Sequence, residues 1–291
     1  MVRIGLMAWD IGGSDLVGLA RAAEVGGFDA VWLGERTVLP IGYRSRHPAS
    51  EVTAPIAAPA TSDMQLVDST VALGAVASAT SHLRIGTGIS ILPLRHPIHS
   101  ALAAATLADL SRGRFMFGIG AGWLEEEFEI LDVPFAKRYR RLRESIEIMR
   151  AAWAGGPFEY HGECFSFEPC QITRSAVQVP LIMGGNTPKA LDRAALLGDG
   201  WISSRTPTFD EAVAARQRLL ALRETHGLTQ PFHCYVRVPA AERTLVSQYE
   251  AAGFEDLIVR ANQLWPSSGT IEEKTEMFLA ATQAVALEQG S

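Results

Sequence analysis

The amino-acid sequence predicts an α/β protein, a (β/α)8 TIM barrel with a long loop after strand 2 and a small hairpin inserted before strand 5. Three observations predict it. Apolar runs of strand length alternate with helical periodicity about eight times along the chain. The length of 291 residues, without repeat, low-complexity stretch or obvious linker, suits one barrel domain spanning residues 1–291. The stretch from Val179 to Lys189 reads as buried strand, two-glycine turn and helix start in that order.

The elements follow in sequence. Residues 3–9 form strand 1, and Ser14 is placed to cap a helix that ends at Gly26-Gly27. Residues 30–35 are strand 2. A loop rich in Ala and Pro runs from 36 to about 64, too long for a plain connection, so it reads as a lid or binding loop. Helix 65–80, strand 84–92 and helix 98–110 follow. Ser111-Arg112-Gly113 turns into strand 114–120, and a charged helix covers 137–153. Residues 158–173 alternate aromatic and polar side chains, as a hairpin does. Strands 181–183, 201–204, 232–238 and 256–260 then alternate with helices 188–197, 210–225, 242–252 and 271–287.

Bulk properties narrow the partners. Hydrophobic residues make up 47%, enough for a large core, and the formal charge is −6. No long basic run is present, which excludes nucleic acid and anionic membrane surfaces as expected partners. No charge-free apolar stretch reaches about 18 residues, so no membrane span is expected. The N-terminus enters a strand directly, without a signal-peptide layout. Cys164, Cys170 and Cys234 are an odd set without CxxC spacing, which fits a reducing cytosol and a cytoplasmic protein.

In a barrel, chemistry sits at the C-terminal ends of the strands. At the fifth, Gly184 and Gly185 let a ligand approach the backbone. Asn186 or Thr187 can cap the next helix, and Pro188 suits its first position. The free N–H groups and dipole there suit an anion such as a phosphate, with Lys189 one step on. An ordinary strand-to-helix turn is the competing reading. Gly118, Gly120 and Gly122 before Trp123 lack the full spacing of a dinucleotide fingerprint. They read as clearing room for a bulky planar ligand, with Trp123 stacking on it or plugging the core. His96 and His99 lack a matching acidic or cysteine partner, so no metal site is expected. Glu35 is a candidate acid or base, or else one half of a rim ion pair. Glu144 and Glu147, four residues after Arg140 and Arg143, read as surface pairs.

Three strand ends together resemble the bacterial luciferase-like monooxygenases, and more narrowly their F420-dependent oxidoreductases. They are Thr87-Gly-Ile-Ser-Ile-Leu-Pro-Leu-Arg-His-Pro97, Leu110-Ser-Arg-Gly-Arg-Phe-Met-Phe-Gly-Ile-Gly-Ala-Gly-Trp123, and Met183-Gly-Gly-Asn-Thr-Pro188 with Gly198-Asp-Gly-Trp201. Order and spacing also match, up to about residue 205.

The resemblance implies a flavin-type ring across the barrel mouth. It implies a bulge with a non-proline cis peptide at Gly88-Ile89, with Ile89 backing the ring. Gly120 and Gly122 would border it, and Gly184, Gly185, Asn186 and Thr187 would hold the cofactor phosphate. His96 would line the cofactor edge, and Glu35 and Trp123 join it as candidate catalytic groups. Many relatives carry a histidine after the acidic residue closing strand 2. Here that position is Arg36, a permanent cation and a poor proton shuttle. Arg44 and Arg46, beside His47 in the lid-like loop, read either as cations for an acidic tail of F420 or an acidic substrate, or as solvated loop charges.

The implied activity is hydride transfer between coenzyme F420 and a small organic substrate. The alternative is an FMN-dependent monooxygenase fed by a separate reductase. A non-catalytic flavin-binding barrel is a third reading. Pairing of barrels into a homodimer or higher homo-oligomer is the expected assembly.

Overall fold

A computed structural model of the chain describes residues 2–45, 65–172 and 176–290. Eight parallel strands close on themselves: β1 (Arg3–Ala8), β2 (Ala30–Leu33), β3 (Arg84–Thr87), β4 (Phe115–Gly120), β5 (Leu181–Gly184), β6 (Gly200–Ile202), β7 (His233–Arg237) and β8 (Asp256–Arg260). The β1–β8 seam, with Arg3 beside Asp256 and Met7 beside Arg260, completes the ring. The expected (β/α)8 barrel is the fold. The helices are α1 (Gly13–Val25), α2 (Ser69–Ala79), α3 (Pro97–Leu110), α4 (Glu125–Ile130), α5 (Arg138–Trp153), α6 (Pro188–Leu197), α7 (Phe209–Thr225), α8 (Arg243–Ala251) and α9 (Ile271–Gly290). An antiparallel hairpin, Phe158–His161 with Ser166–Cys170, precedes β5 as expected.

The apolar content divides into two cores. Outward-facing strand residues such as Leu6, Val31, Ile85 and Leu181 pack against the helices in a large shell. A smaller set, including Met7, Trp32, Met116, Ile182, Tyr235 and Ile258, fills the barrel interior. This split is the period-two alternation of strands buried on both faces. Trp32, fully buried, is the largest interior side chain. Its bulk explains a glycine of β3: a Cβ on Gly86 would lie 2.7 Å from the indole. The closed end is ionic. Asp256 accepts from Arg3 Nε at 2.9 Å and Arg84 Nη2 at 2.7 Å.

Several details differ from the sequence reading. Gly12, not Ser14, is the N-cap residue of α1, and no side chain caps it. Helix α2 starts later than expected, where Asp68 accepts from the amides of Thr70 and Val71. Only Arg143 and Glu147 form the expected helical pair, at 3.8 Å. Arg140 instead meets Glu163, and buried Glu144 accepts the amides of Cys164 and Phe165 at 2.9 and 3.1 Å, so it anchors the hairpin turn. Arg46, His47 and most of the loop after β2 lie outside the described residues, as does residue 173 of the expected hairpin.

Candidate active site at the barrel mouth

The C-terminal strand ends surround a cavity of about 670 Å³, within the range of small-molecule sites. Its floor is made by a break in β3. The strand stops at Thr87, the Gly88–Ile89 peptide is cis, and pairing with β4 resumes as Ser90 beside Ile119 and Ile91 beside Gly120. Ile89 caps the interior core and faces the cavity.

The neighbouring glycines answer to this bulge. A Cβ on Gly120 would lie 2.6 Å from Ile89 Cδ1, and one on Gly184 would lie 3.0 Å from its Cγ2. A Cβ on Gly122 would meet Ile91 at 2.7 Å and Phe128 at 2.8 Å. These glycines line the cavity, but the space they leave is taken by protein side chains. The expectation that they clear room for a planar ligand is corrected to this extent: they seat the bulge, and the bulge shapes the floor.

Glu35 follows β2 and is 5% exposed. Its carboxylate accepts from Ser69 Oγ, from Ser90 Oγ at 3.1 Å and from the Ile91 amide at 3.2 Å. Arg95 Nη2 stands 3.4 Å away. This carboxylate ties β2 to the segment just past the bulge. The rim ion pair is the arrangement found, with Arg95 as its cation.

Arg36 points the other way. Its Nη1 donates to Glu127 at 2.5 Å, and Glu127 is fully buried at the start of α4. Glu127 also accepts the Thr37 amide at 2.9 Å, while Glu126 accepts the Ser45 amide at 3.1 Å and the Ser45 hydroxyl at 2.7 Å. Two adjacent acids thus fasten the chain after β2 to the chain after β4. Trp123 lines the cavity under the Arg36 guanidinium, 5.3 Å from it, with Tyr43 edge-on at 6.1 Å. Arg44 turns to Glu129 on the surface.

The end of β5 has the expected strand–turn–helix form. Thr187 is the N-cap residue of α6, and its Oγ1 accepts the Ala190 amide at 3.3 Å. Asn186 Oδ1 accepts the Ser204 amide at 2.7 Å and so ties the β5 turn to the β6 turn. Gly185 has φ +129°, a conformation that L side chains rarely adopt, and its carbonyl accepts Trp201 Nε1 at 2.6 Å. The expected helper Lys189 is exposed and does not line the cavity; Arg193, one turn later on α6, does.

His96 is placed elsewhere, which corrects its expected position at the cofactor edge. It caps α3, with Nδ1 accepting the Ile98 amide at 3.3 Å. It lines a different cavity, with His99 and Asp68, between α2 and α3. Burial, reinforced by His99 and Arg141, lowers its pKa and keeps the accepting nitrogen unprotonated.

Sequence reading missed Arg237 and Arg260, the last residues of β7 and β8. Both line the cavity. Arg237 reaches across the barrel, and its Nη2 donates to the Gly88 carbonyl at 3.1 Å. Its Nη1 donates to the Ser204 carbonyl at 3.3 Å. The signal available was an arginine at each strand's C-terminal end, in segments that otherwise read as generic barrel.

The cavity lies at the C-terminal face of the barrel, where barrel enzymes carry their active sites. The model of the luciferase-like monooxygenases matches residues 8–251, so this chain belongs to that family and is an oxidoreductase of it. An uncharacterized protein of Mycobacterium tuberculosis is 33% identical over 243 residues, 83% of either chain. An F420-dependent glucose-6-phosphate dehydrogenase of Beutenbergia cavernae is 33% identical over 238 residues, 76% of this chain and 65% of that one. The coenzyme F420-dependent tetrahydromethanopterin reductase of Methanopyrus kandleri has the same fold. Its TM-score is 0.72 at 15% identity, over 98% of this chain and 99% of that one. Among the described residues no helix is long and apolar enough to cross a membrane.

Proposed function

We propose that this chain is an F420-dependent oxidoreductase that passes a hydride between a deazaflavin and a small organic substrate. The observation that carries the reading is the floor of the mouth. Ile89 stands at the apex of the β3 break, seated between Gly120 and Gly184, with an anion-receptive helix start at one edge of the same cavity. A tricyclic ring with an acidic side arm fits that combination of apolar floor and polar edge.

When bound, the deazaflavin supplies the hydride chemistry. The chain binds, orients and excludes water. Gly88 and Ile89 back the ring, while Gly120, Gly122 and Trp123 border it. The turn of Gly184, Gly185, Asn186 and Thr187, with Arg193, holds the phosphate. Glu35 and Arg36 are each engaged by protein partners. Their role is to position the bulge and the Trp123 wall, and neither acts as a proton shuttle.

FMN also carries a phosphate, so the helix start serves both cofactors. Arg193, beside the helix start, favours the more acidic arm of F420, and the identity shared with an F420-dependent dehydrogenase supports the same choice. Fluorescence titration of the purified protein with oxidised F420 and with FMN tests it. Micromolar binding of F420 alone is expected, with Arg193→Ala weakening it about tenfold. Binding of FMN alone would replace the reading with the monooxygenase one. Hydride turnover with any reduced F420 acceptor would remove the storage reading.

A further inference from the structure

Arg237 and Arg260 end adjacent parallel strands and enter the same cavity. Among the described residues no carboxylate lies within ion-pair reach of either. The other cations of the mouth are engaged by a carboxylate or an aromatic ring. Arg36 is answered by Glu127, Arg205 by Glu211, and Arg193 lies over the Tyr139 ring at 4.4 Å. Among the described residues, the one acid lining the cavity, Glu35, is held by Ser69, Ser90 and Arg95.

Arg237 spends its bonds on neutral acceptors: the Gly88 and Ser204 carbonyls and, at 3.7 Å, the sulfur of Met7. Its Nε is closed off from solvent and has no hydrogen-bond partner among the described residues. Burial, with Arg260 beside it, pushes its pKa down to about 10. Arg237, buried beside a like charge and without a counter-ion among the described residues, is unfavourable for the protein alone. A guanidinium fork matches carboxylate or phosphate oxygens. The arrangement is accounted for if an anion completes it.

The position distinguishes this anion from the cofactor's arm. The phosphate turn follows β5. Arg237 and Arg260 end β7 and β8, two and three strands further round the ring, and Arg237 crosses the mouth toward β3. We infer that Arg237 and Arg260, with Asn262 beside them, form a second anion subsite that selects substrates carrying a carboxylate or phosphate group. This rests on the proposed activity only for the word substrate; the anion site itself stands on the geometry.

Isothermal titration of the purified protein with inorganic phosphate, and separately with succinate, tests it without any cofactor. Wild type is expected to bind at least one of them at millimolar concentration, and the preferred anion names the acid class. Arg237→Met and Arg260→Gln are each expected to weaken that binding about tenfold. In parallel, oxidised F420 is expected to bind Arg260→Gln, which makes no contact with the bulge among the described residues, within about threefold of wild type. Arg260→Gln carries the test if Arg237→Met fails to fold, because Arg260 is exposed. No anion binding by wild type, or binding unchanged in Arg260→Gln, would overturn the subsite. F420 affinity falling in step with anion affinity in Arg260→Gln would overturn it too, by assigning that arginine to the cofactor arm. Absence of F420 binding by wild type would defeat the proposed activity alone, since the calorimetric result stands without it.

Discussion

The carboxylate of Glu35 accepts the amide of Ile91 at 3.2 Å, so the end of β2 fixes the chain just past the β3 break. Glu35→Ala leaves Ser69, Ser90, Ile91 and Arg95 without their shared acceptor. A loss of about 3 kcal/mol in unfolding free energy is expected, and about 1–2 kcal/mol for Glu35→Gln, read by urea denaturation. A general acid or base would behave differently. Here Glu35→Gln is expected to leave the shape of the pH–rate profile unchanged.

Gly120 and Ile89 form a matched pair, because a Cβ on the first would collide with Cδ1 of the second. Gly120→Ala is expected to cost about 1–3 kcal/mol through overpacking. Shortening the partner in Gly120→Ala with Ile89→Val should recover much of that cost. Equal losses in the single and double variants would show that the two positions are uncoupled.

Glu127→Gln tests the clasp between the chain after β2 and α4. The buried Arg36–Glu127 pair loses its anion while Arg36 stays charged, so a loss of about 3–5 kcal/mol is expected. Trp123 packs under Arg36, and its fluorescence should shift toward that of an exposed indole even where the fold survives.

Asp256 gives the pH dependence. Burial works against its charged form, but hydrogen bonds from Arg3 and Arg84 prevail and hold its pKa below the usual carboxylate range. A depressed folded-state pKa contributes stability that is full above the unfolded value of about 3.9 and is lost as pH falls through the folded value. Wild type should therefore lose stability as pH falls below about 4. Asp256→Asn should lack that component of the slope while being less stable at pH 7. Thermal melts across pH 2.5–7 (about that range) measure both.

Much of the fold was legible because barrel strands and helices announce themselves locally. Helix α6 and β8 begin and end where the residues indicated, and the Gly88-Ile89 position is the cis peptide. The site was less legible because its bonds join residues far apart in sequence. Glu127 lies some ninety positions from Arg36, and the short helix that carries it went unread among charged residues. Glu35 looked like an acid or base because its four partners come from three other segments. His96 looked close to the site because it follows the bulge by few residues, yet the short 3-10 turn at Leu92–Leu94 carries the chain over the rim first. Arg237 and Arg260 carried a signal only once the strand ends were known.

Soaking crystals of the protein with oxidised F420 tests the central claim most directly. The account predicts density for the ring over Ile89, with the phosphate at the start of α6 beside Thr187 and Arg193. Density for the ring away from Ile89, or a mouth that stays empty at saturating F420, would contradict it.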